Sequence, residues 1–278
     1  SRARKSSAGY DLTRLMVGSE GTLGIITEVT LRLQGIPEAI SAASCSFPTV
    51  EAACEAVMAV IQYGLPVARI ELLDALVVKA VNAYSKLTLP ETPLLLLEFH
   101  GSDAGVAEQA ETFGALAAEF GGTGYAATTT AEERNKLWQA RHDAYWAMLA
   151  LRPGSKAVAT DVCVPISKLA EAVVGANNKA AELGLIAPVV GHAGDGNFHA
   201  SLLLDMDNPV EVANAEIYVS WLNDQAIALG GTCTGEHGIG QGKRPYLVKE
   251  LGGAVDVMVA IKQALDPQGI MNPGKILP

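Results

Sequence analysis

The sequence predicts an α+β fold, a ferredoxin-like antiparallel sheet with helices on one face, built from one β-α-β-β-α-β unit or from two joined. Three observations predict it. Short runs alternate apolar and polar residues at strand spacing, longer stretches between them carry helical spacing, and two strand-like runs meet at Asp195-Gly196, a hairpin signal.

Residues 24–33 alternate as a strand does, yet nothing before them could build a domain, so the chain is expected to begin in mid-fold. After Pro37 come strand 40–47, helix 49–63, strand 67–73, a short helix to about residue 84, strand 94–99, helix 106–120 and strand 123–129. A long helix over 131–149 follows. Thr130 opens it, Glu132 and Glu133 suit its positive end, and Arg152-Pro-Gly ends it. Beyond lie strand 157–164, helix 166–183, strands 187–192 and 198–204, helix 209–229 and a short strand near Thr232. That order is β-α-β-β-α-β, and the earlier half offers a looser version of it. C-terminal helices and a Pro-bounded tail close the chain.

At 278 residues the chain can form one large domain or two smaller ones sharing a core. Its residues are 49% hydrophobic, and its 28 Gly and 13 Pro are spread out, which excludes disorder and collagen-like repeats. A net charge of -10 argues against nucleic acid or an anionic membrane as partner, since the one basic cluster is the terminal Ser1-Arg-Ala-Arg-Lys5. Cys45, Cys54, Cys163 and Cys233 form no C-x-x-C pair, which excludes an iron–sulfur or Cys-rich zinc motif and suits a reducing cytoplasm. No apolar run approaches the ~18 residues of a membrane span, so any association with the inner membrane is expected to be peripheral. Small molecules and proteins are the expected partners, and a homo-oligomer is compatible with this composition.

A type I′ turn centred on Asp195-Gly196 sets Gly194 opposite Asn197, Ala193 opposite Phe198 and His192 opposite His199. Two opposed imidazoles stand close enough to share a metal, and equally could form a stacked or hydrogen-bonded structural pair. The best source of a third ligand is the segment 231–243, where Glu236 and His237 sit among five glycines. Twisted at Gly235 and Gly238, it could turn both toward one pocket, Glu236 as ligand and His237 as an unligated base. Gly238-Ile-Gly-Gln-Gly242 could also be read as an anion-binding loop, but no P-loop or dinucleotide pattern accompanies it. His100, Trp138 and Trp146 are read as packing residues.

Three stretches are more specific still. They are Tyr10 to Thr27, containing Gly18-Ser-Glu-Gly-Thr-Leu-Gly-Ile25; the hairpin Gly191-His-Ala-Gly-Asp-Gly-Asn-Phe-His199; and Gly235-Glu-His-Gly-Ile-Gly240 followed by Leu265-Asp-Pro-Gln-Gly-Ile-Met-Asn-Pro-Gly-Lys275. Together they resemble the flavin-linked oxidases of the vanillyl-alcohol-oxidase type, in the branch holding D-lactate dehydrogenases, D-2-hydroxyglutarate dehydrogenases and the glycolate oxidase flavin subunit. The resemblance implies that residues 1–36 are the C-terminal remnant of an FAD-binding domain and 37–278 the substrate-binding domain. It implies flavin contacts from Glu20, Gly24, Ile25, Ile26 and Asn272. It implies a divalent metal on His192, His199 and Glu236, with His237 as general base and Arg141 clamping the substrate carboxylate. Without the resemblance, Arg141 reads as an exposed helical arginine.

Family members carry roughly two hundred residues ahead of this point, more than a typical small domain, so the chain as written is expected not to hold FAD. The diacid-specific members have a threonine four residues after the arginine and a lysine two before the Asp-x-x-x-Pro motif. This chain has Tyr145 and Ala159 there, with Lys156 out of register, so the expected substrate is a short 2-hydroxy monocarboxylate such as lactate or glycolate. Zn or Mn is favoured over Fe(II), and the implied electron acceptor is a quinone, a cytochrome or a partner subunit. Two rival readings are a flavin-independent two-His, one-carboxylate metalloenzyme and a non-catalytic module that docks subunits.

Overall fold

The structure is a computed structural model that describes residues 3–278, so the first two residues of the basic cluster lie outside the described residues. The chain forms two compact units. The larger is Gln34–Gly235, and the smaller joins the described residues up to Leu33 with Glu236–Pro278.

The larger unit is built on eight strands and six helices. They run β1 (Ala39–Ser46), α2 (Val50–Tyr63), β2 (Val67–Leu73), α3 (Ala75–Ser85), β3 (Leu94–Gly101), α4 (Asp103–Glu119), β4 (Thr123–Thr128), α5 (Ala131–Ala150), β5 (Lys156–Ala159), β6 (Val162–Cys163), α6 (Leu169–Glu182), β7 (Val189–His192), β8 (Asn197–Leu204) and α7 (Pro209–Ala228). The sheet order is β4-β1-β3-β2-β7-β8-β5, with β6 also on β8, and every pairing is antiparallel. Both halves are ferredoxin-like: β1 to β4 lie in the order 4-1-3-2, and β5/β6, β7 and β8 repeat its first three strands. The halves join where β2 pairs β7, Leu72 opposite Gly191 and Leu73 opposite Val190.

Alternation along β3 sorts its leucines between two cores. Leu95 and Leu97 enter a core with α2, α4, α6 and α7, the helices of the repeated units. Leu94 and Leu96 enter a smaller core with α3 and α5, which therefore cover part of the opposite face. All four are essentially buried, each contributing about 1.5–3 kcal/mol of transfer free energy. Local caps set the helix starts: the side chains of Thr49, Ser102 and Asn208 each accept a backbone N–H of the following turn.

Two strand expectations change. Residues 157–164 form β5 and β6 with a break at Thr160–Asp161, and the strand near Thr232 shrinks to one bridge with Cys163. In the smaller unit, 24–33 is not a strand. Among the described residues, positions 23–38 make no hydrogen bonds, and Val29, Leu31 and Leu33 are 65%, 73% and 87% exposed. Alternation supplies a strand's faces, but a strand also needs a paired neighbour. This unit holds α1 (Leu12–Met16), α8 (Arg244–Leu251) and α9 (Ala254–Leu265), with Leu247, Val255 and Ile276 as its core.

Candidate functional site

The hairpin places the two histidines, though not by the expected register. Residues Ala193–Asp195 make a 3-10 turn and Gly196 follows in the left-handed region with φ 77°. The loop is thus four residues long, and His192 pairs Asn197 while His199 pairs Val190. This corrects the direct opposition of the two histidines. Relative to the expected pairing, the partner of His192 moves by two residues, and a two-residue step along a strand preserves the face. The rings therefore still meet as diagonal neighbours, with centroids 6.0 Å apart and planes at 87°.

Each ring is oriented by an acceptor on its Nδ1. His192 Nδ1 lies 2.6 Å from Glu71 Oε1 on β2, and His199 Nδ1 lies 3.0 Å from the Thr160 carbonyl oxygen. A carboxylate and a carbonyl can only accept, so both rings carry their proton on Nδ1, and the neutral ring has its lone pair on Nε2. The break between β5 and β6 makes the second contact possible. Ala200 N donates to the Thr160 hydroxyl at 2.9 Å instead of to its carbonyl, so that carbonyl is available to His199.

Below His199 lies Asp161, 1% exposed, which accepts from Asn197 Nδ2 at 2.8 Å and from the Thr234 hydroxyl at 2.7 Å. Asn197 approaches the chain so closely that a Cβ on Gly235 would sit 2.0 Å from its Nδ2. Only glycine fits immediately before Glu236.

Arg141, on α5, donates from Nε to Glu71 Oε2 at 2.8 Å, and its side chain is 23% exposed. No hydrogen bond from its Nη atoms to a described residue is formed, so the end of the fork remains for a ligand. One turn earlier, Trp138 carries the Arg69 guanidinium 3.4 Å over its ring. Arg69 also pairs with Glu98, which contacts His100 at 2.7 Å. Burial pushes the Glu98 carboxyl up, but the Arg69 and His100 hydrogen bonds outweigh it and hold it below its ordinary value. His100 and Trp138 thus belong to a polar cluster on this sheet face, a role that their reading as packing residues did not include.

The smaller unit carries the remaining candidates. Glu236 and His237 are about half exposed, with His237 Nε2 3.9 Å from Glu236 Oε1. Glu20, itself in the left-handed region at φ 47°, accepts from Ile239 N at 2.6 Å and Gly240 N at 2.8 Å. The glycine-rich loop is therefore an anion cradle whose occupant is the chain's own carboxylate. Asn272 Nδ2 donates to the Glu20 carbonyl at 2.5 Å, joining two of the expected flavin contacts. Gly24 lies beside exposed Ile25 and Ile26.

The residues fit the two implied groups chemically. Two neutral imidazoles with Nδ1 engaged form a donor pair suited to a borderline divalent cation. Exposed Ile25 and Ile26, beside backbone with no hydrogen-bonded neighbour, suit a flat aromatic ring system. Sequence reasoning missed Glu71, Thr160, Asp161 and Asn197. Glu71 and Asp161 did carry a signal, being acids inside the apolar runs 70–73 and 157–164.

Residues 36–276 match a family profile described as FAD linked oxidases, C-terminal domain. The chain is 48% identical over 277 residues to a probable mitochondrial D-lactate dehydrogenase of Danio rerio, covering 99% of this chain and 56% of that protein. It is 37% identical over 275 residues to the glycolate oxidase subunit GlcD of Bacillus subtilis, covering 98% and 58%. Among solved structures, a 4-ethylphenol oxidase from Gulosibacter chungangensis shares the fold with a TM-score of 0.67 at 16% identity, over 89% of this chain and 56% of that one. The chain spans about half the length of the curated relatives it matches.

Proposed function

This chain belongs to the family of FAD linked oxidases, C-terminal domain, and from that premise we propose that it supplies the substrate half of a 2-hydroxy-acid dehydrogenase of the D-lactate or glycolate type. One observation carries the reading: His192 and the Arg141 fork are held by a shared carboxylate, Glu71, and the His199 ring lies beside that of His192. Arg141 binds the substrate carboxylate through its Nη atoms and sets the orientation of the α-carbon. His192 and His199, with Glu236 as third ligand, hold a divalent cation, Zn or Mn before Fe(II). When bound, that cation lowers the pKa of the substrate hydroxyl. His237 takes the hydroxyl proton as general base.

Bound FAD supplies the hydride acceptor, contacted by Glu20, Gly24, Ile25, Ile26 and Asn272. The Glu20 carboxylate acts there by ordering the loop after His237, since its oxygens already accept from Ile239 and Gly240. The electron acceptor that this reading implies would be a quinone, a cytochrome or a partner subunit. No described helix is long and apolar enough to cross a membrane, and we place the reaction in the cytoplasm, with attachment to a membrane peripheral. Tyr145, one turn beyond Arg141, stands where diacid-specific relatives carry a threonine, which supports a short monocarboxylate.

Equilibrium dialysis against zinc or manganese, followed by elemental analysis, tests the metal assignment. The expected result is about one equivalent per chain, lost in His199→Ala. Full retention of the metal by the variant would overturn the assignment.

A further inference from the structure

The mechanism above uses His192 and Arg141 separately, but they meet on one residue. Glu71 is 6% exposed, lies in the buried part of β2 among Ile70, Leu72 and Leu73, and commits each carboxylate oxygen to a different partner. Oε1 lies 2.6 Å from His192 Nδ1, and Oε2 accepts from Arg141 Nε at 2.8 Å. A buried carboxylate is stable only when its oxygens are satisfied, and here both are satisfied by groups of the site. The neighbouring positions explain the geometry. Leu73, two residues on, packs on the same sheet face under α3 and α5, and the β2–β7 register, with Leu72 opposite Gly191, brings His192 beside Glu71.

We propose that Glu71 is the positioning residue that couples the metal ligand His192 to the carboxylate clamp Arg141. The inference rests on the reading of His192 and Arg141 given above. Through Oε1, Glu71 fixes the His192 tautomer with its lone pair on Nε2, as carboxylates behind metal-bound histidines do. Through Oε2, it occupies the Nε side of the guanidinium, so the Nη1–Nη2 end is the edge left for a bidentate carboxylate. Glu71 touches neither substrate nor metal. It sets the separation and angle between the two groups that do.

Glu71→Gln keeps shape and volume but removes one acceptor. Zinc affinity, measured by competition with a chromophoric chelator on the whole chain, is expected to fall about 10–100-fold. At saturating zinc, D-lactate affinity, measured by calorimetry, is expected to fall as well. Arg141→Met provides the contrast, lowering D-lactate affinity by a larger factor than zinc affinity. Glu71→Gln with zinc and D-lactate affinities equal to the unsubstituted chain, while His192→Ala loses zinc, would overturn the coupling alone. Failure of the unsubstituted chain to bind zinc would overturn the metal assignment and the coupling with it. Nitrogen-15 spectra of the unsubstituted chain serve if the Glu71 variant does not fold. They should show His192 protonated on Nδ1 without metal, and protonation on Nε2 would contradict the proposal.

Discussion

At Gly196 the backbone adopts φ 77°, and an added Cβ would lie 2.1 Å from the Val164 carbonyl oxygen. A side chain there meets two penalties: about 1–2 kcal/mol for the left-handed conformation and ~1–3 kcal/mol for forcing β6 away. Gly196→Ala is therefore expected to destabilise the chain by about 2–5 kcal/mol in urea denaturation. A change below about 0.5 kcal/mol, the range of neutral surface substitutions, would show that the loop is not packed as described. The same residue shows what was legible. Asp195-Gly196 announced a turn and the need for glycine, but a two-residue turn and a four-residue loop ending in a left-handed glycine use the same residues. What holds the longer loop is Val164 N donating to the Gly196 carbonyl at 3.0 Å, a contact distant in sequence. Glu71 and Asp161 were visible only as acids in apolar runs, because their partners come from other strands.

At the seam between the sheet halves, one side chain adds to the β2–β7 pairing. Asp74 caps α3 by accepting from Val77 N at 2.8 Å, and its other oxygen accepts from Val189 N of β7 at 2.9 Å. Burial, the largest influence, pushes the Asp74 carboxyl from 3.8 up to about 6, against the backbone hydrogen bonds that lower it. The native chain thus binds this proton more tightly than the unfolded chain does. The associated stability is fully present below pH 3.8 and is lost as pH rises through about 6. Unfolding free energy of the unsubstituted chain, relative to Asp74→Asn, should accordingly rise as pH falls from neutrality to 4, a trend that urea midpoints at several pH values would show. A difference that stays constant with pH would contradict the assignment.

Element boundaries elsewhere followed periodicity and capping residues closely: β2 spans Val67–Leu73 as expected, and Thr49 caps α2. The split of 157–164 was not legible, since it depends on the Thr160 hydroxyl replacing its own carbonyl in the ladder.

Across the larger unit, the β-α-β-β-α-β order carried the architecture, because connection order restricts how antiparallel strands can neighbour one another. It did not reveal that α3 and α5 cross to the second face. α5 bears Arg141 beside Trp138, so charged site residues interrupt the apolar stripe that would mark its buried side. In the smaller unit, the alternation of 24–33 failed as a strand signal for lack of a pairing partner. The proposed function depends most on His192 and His199 being metal ligands in a substrate site. Diffraction from zinc-loaded crystals, recorded above the zinc absorption edge, tests it most directly. An anomalous peak about 2.0–2.1 Å from Nε2 of both His192 and His199 is expected. Zinc found only at other side chains, with no peak between those two rings, would contradict it.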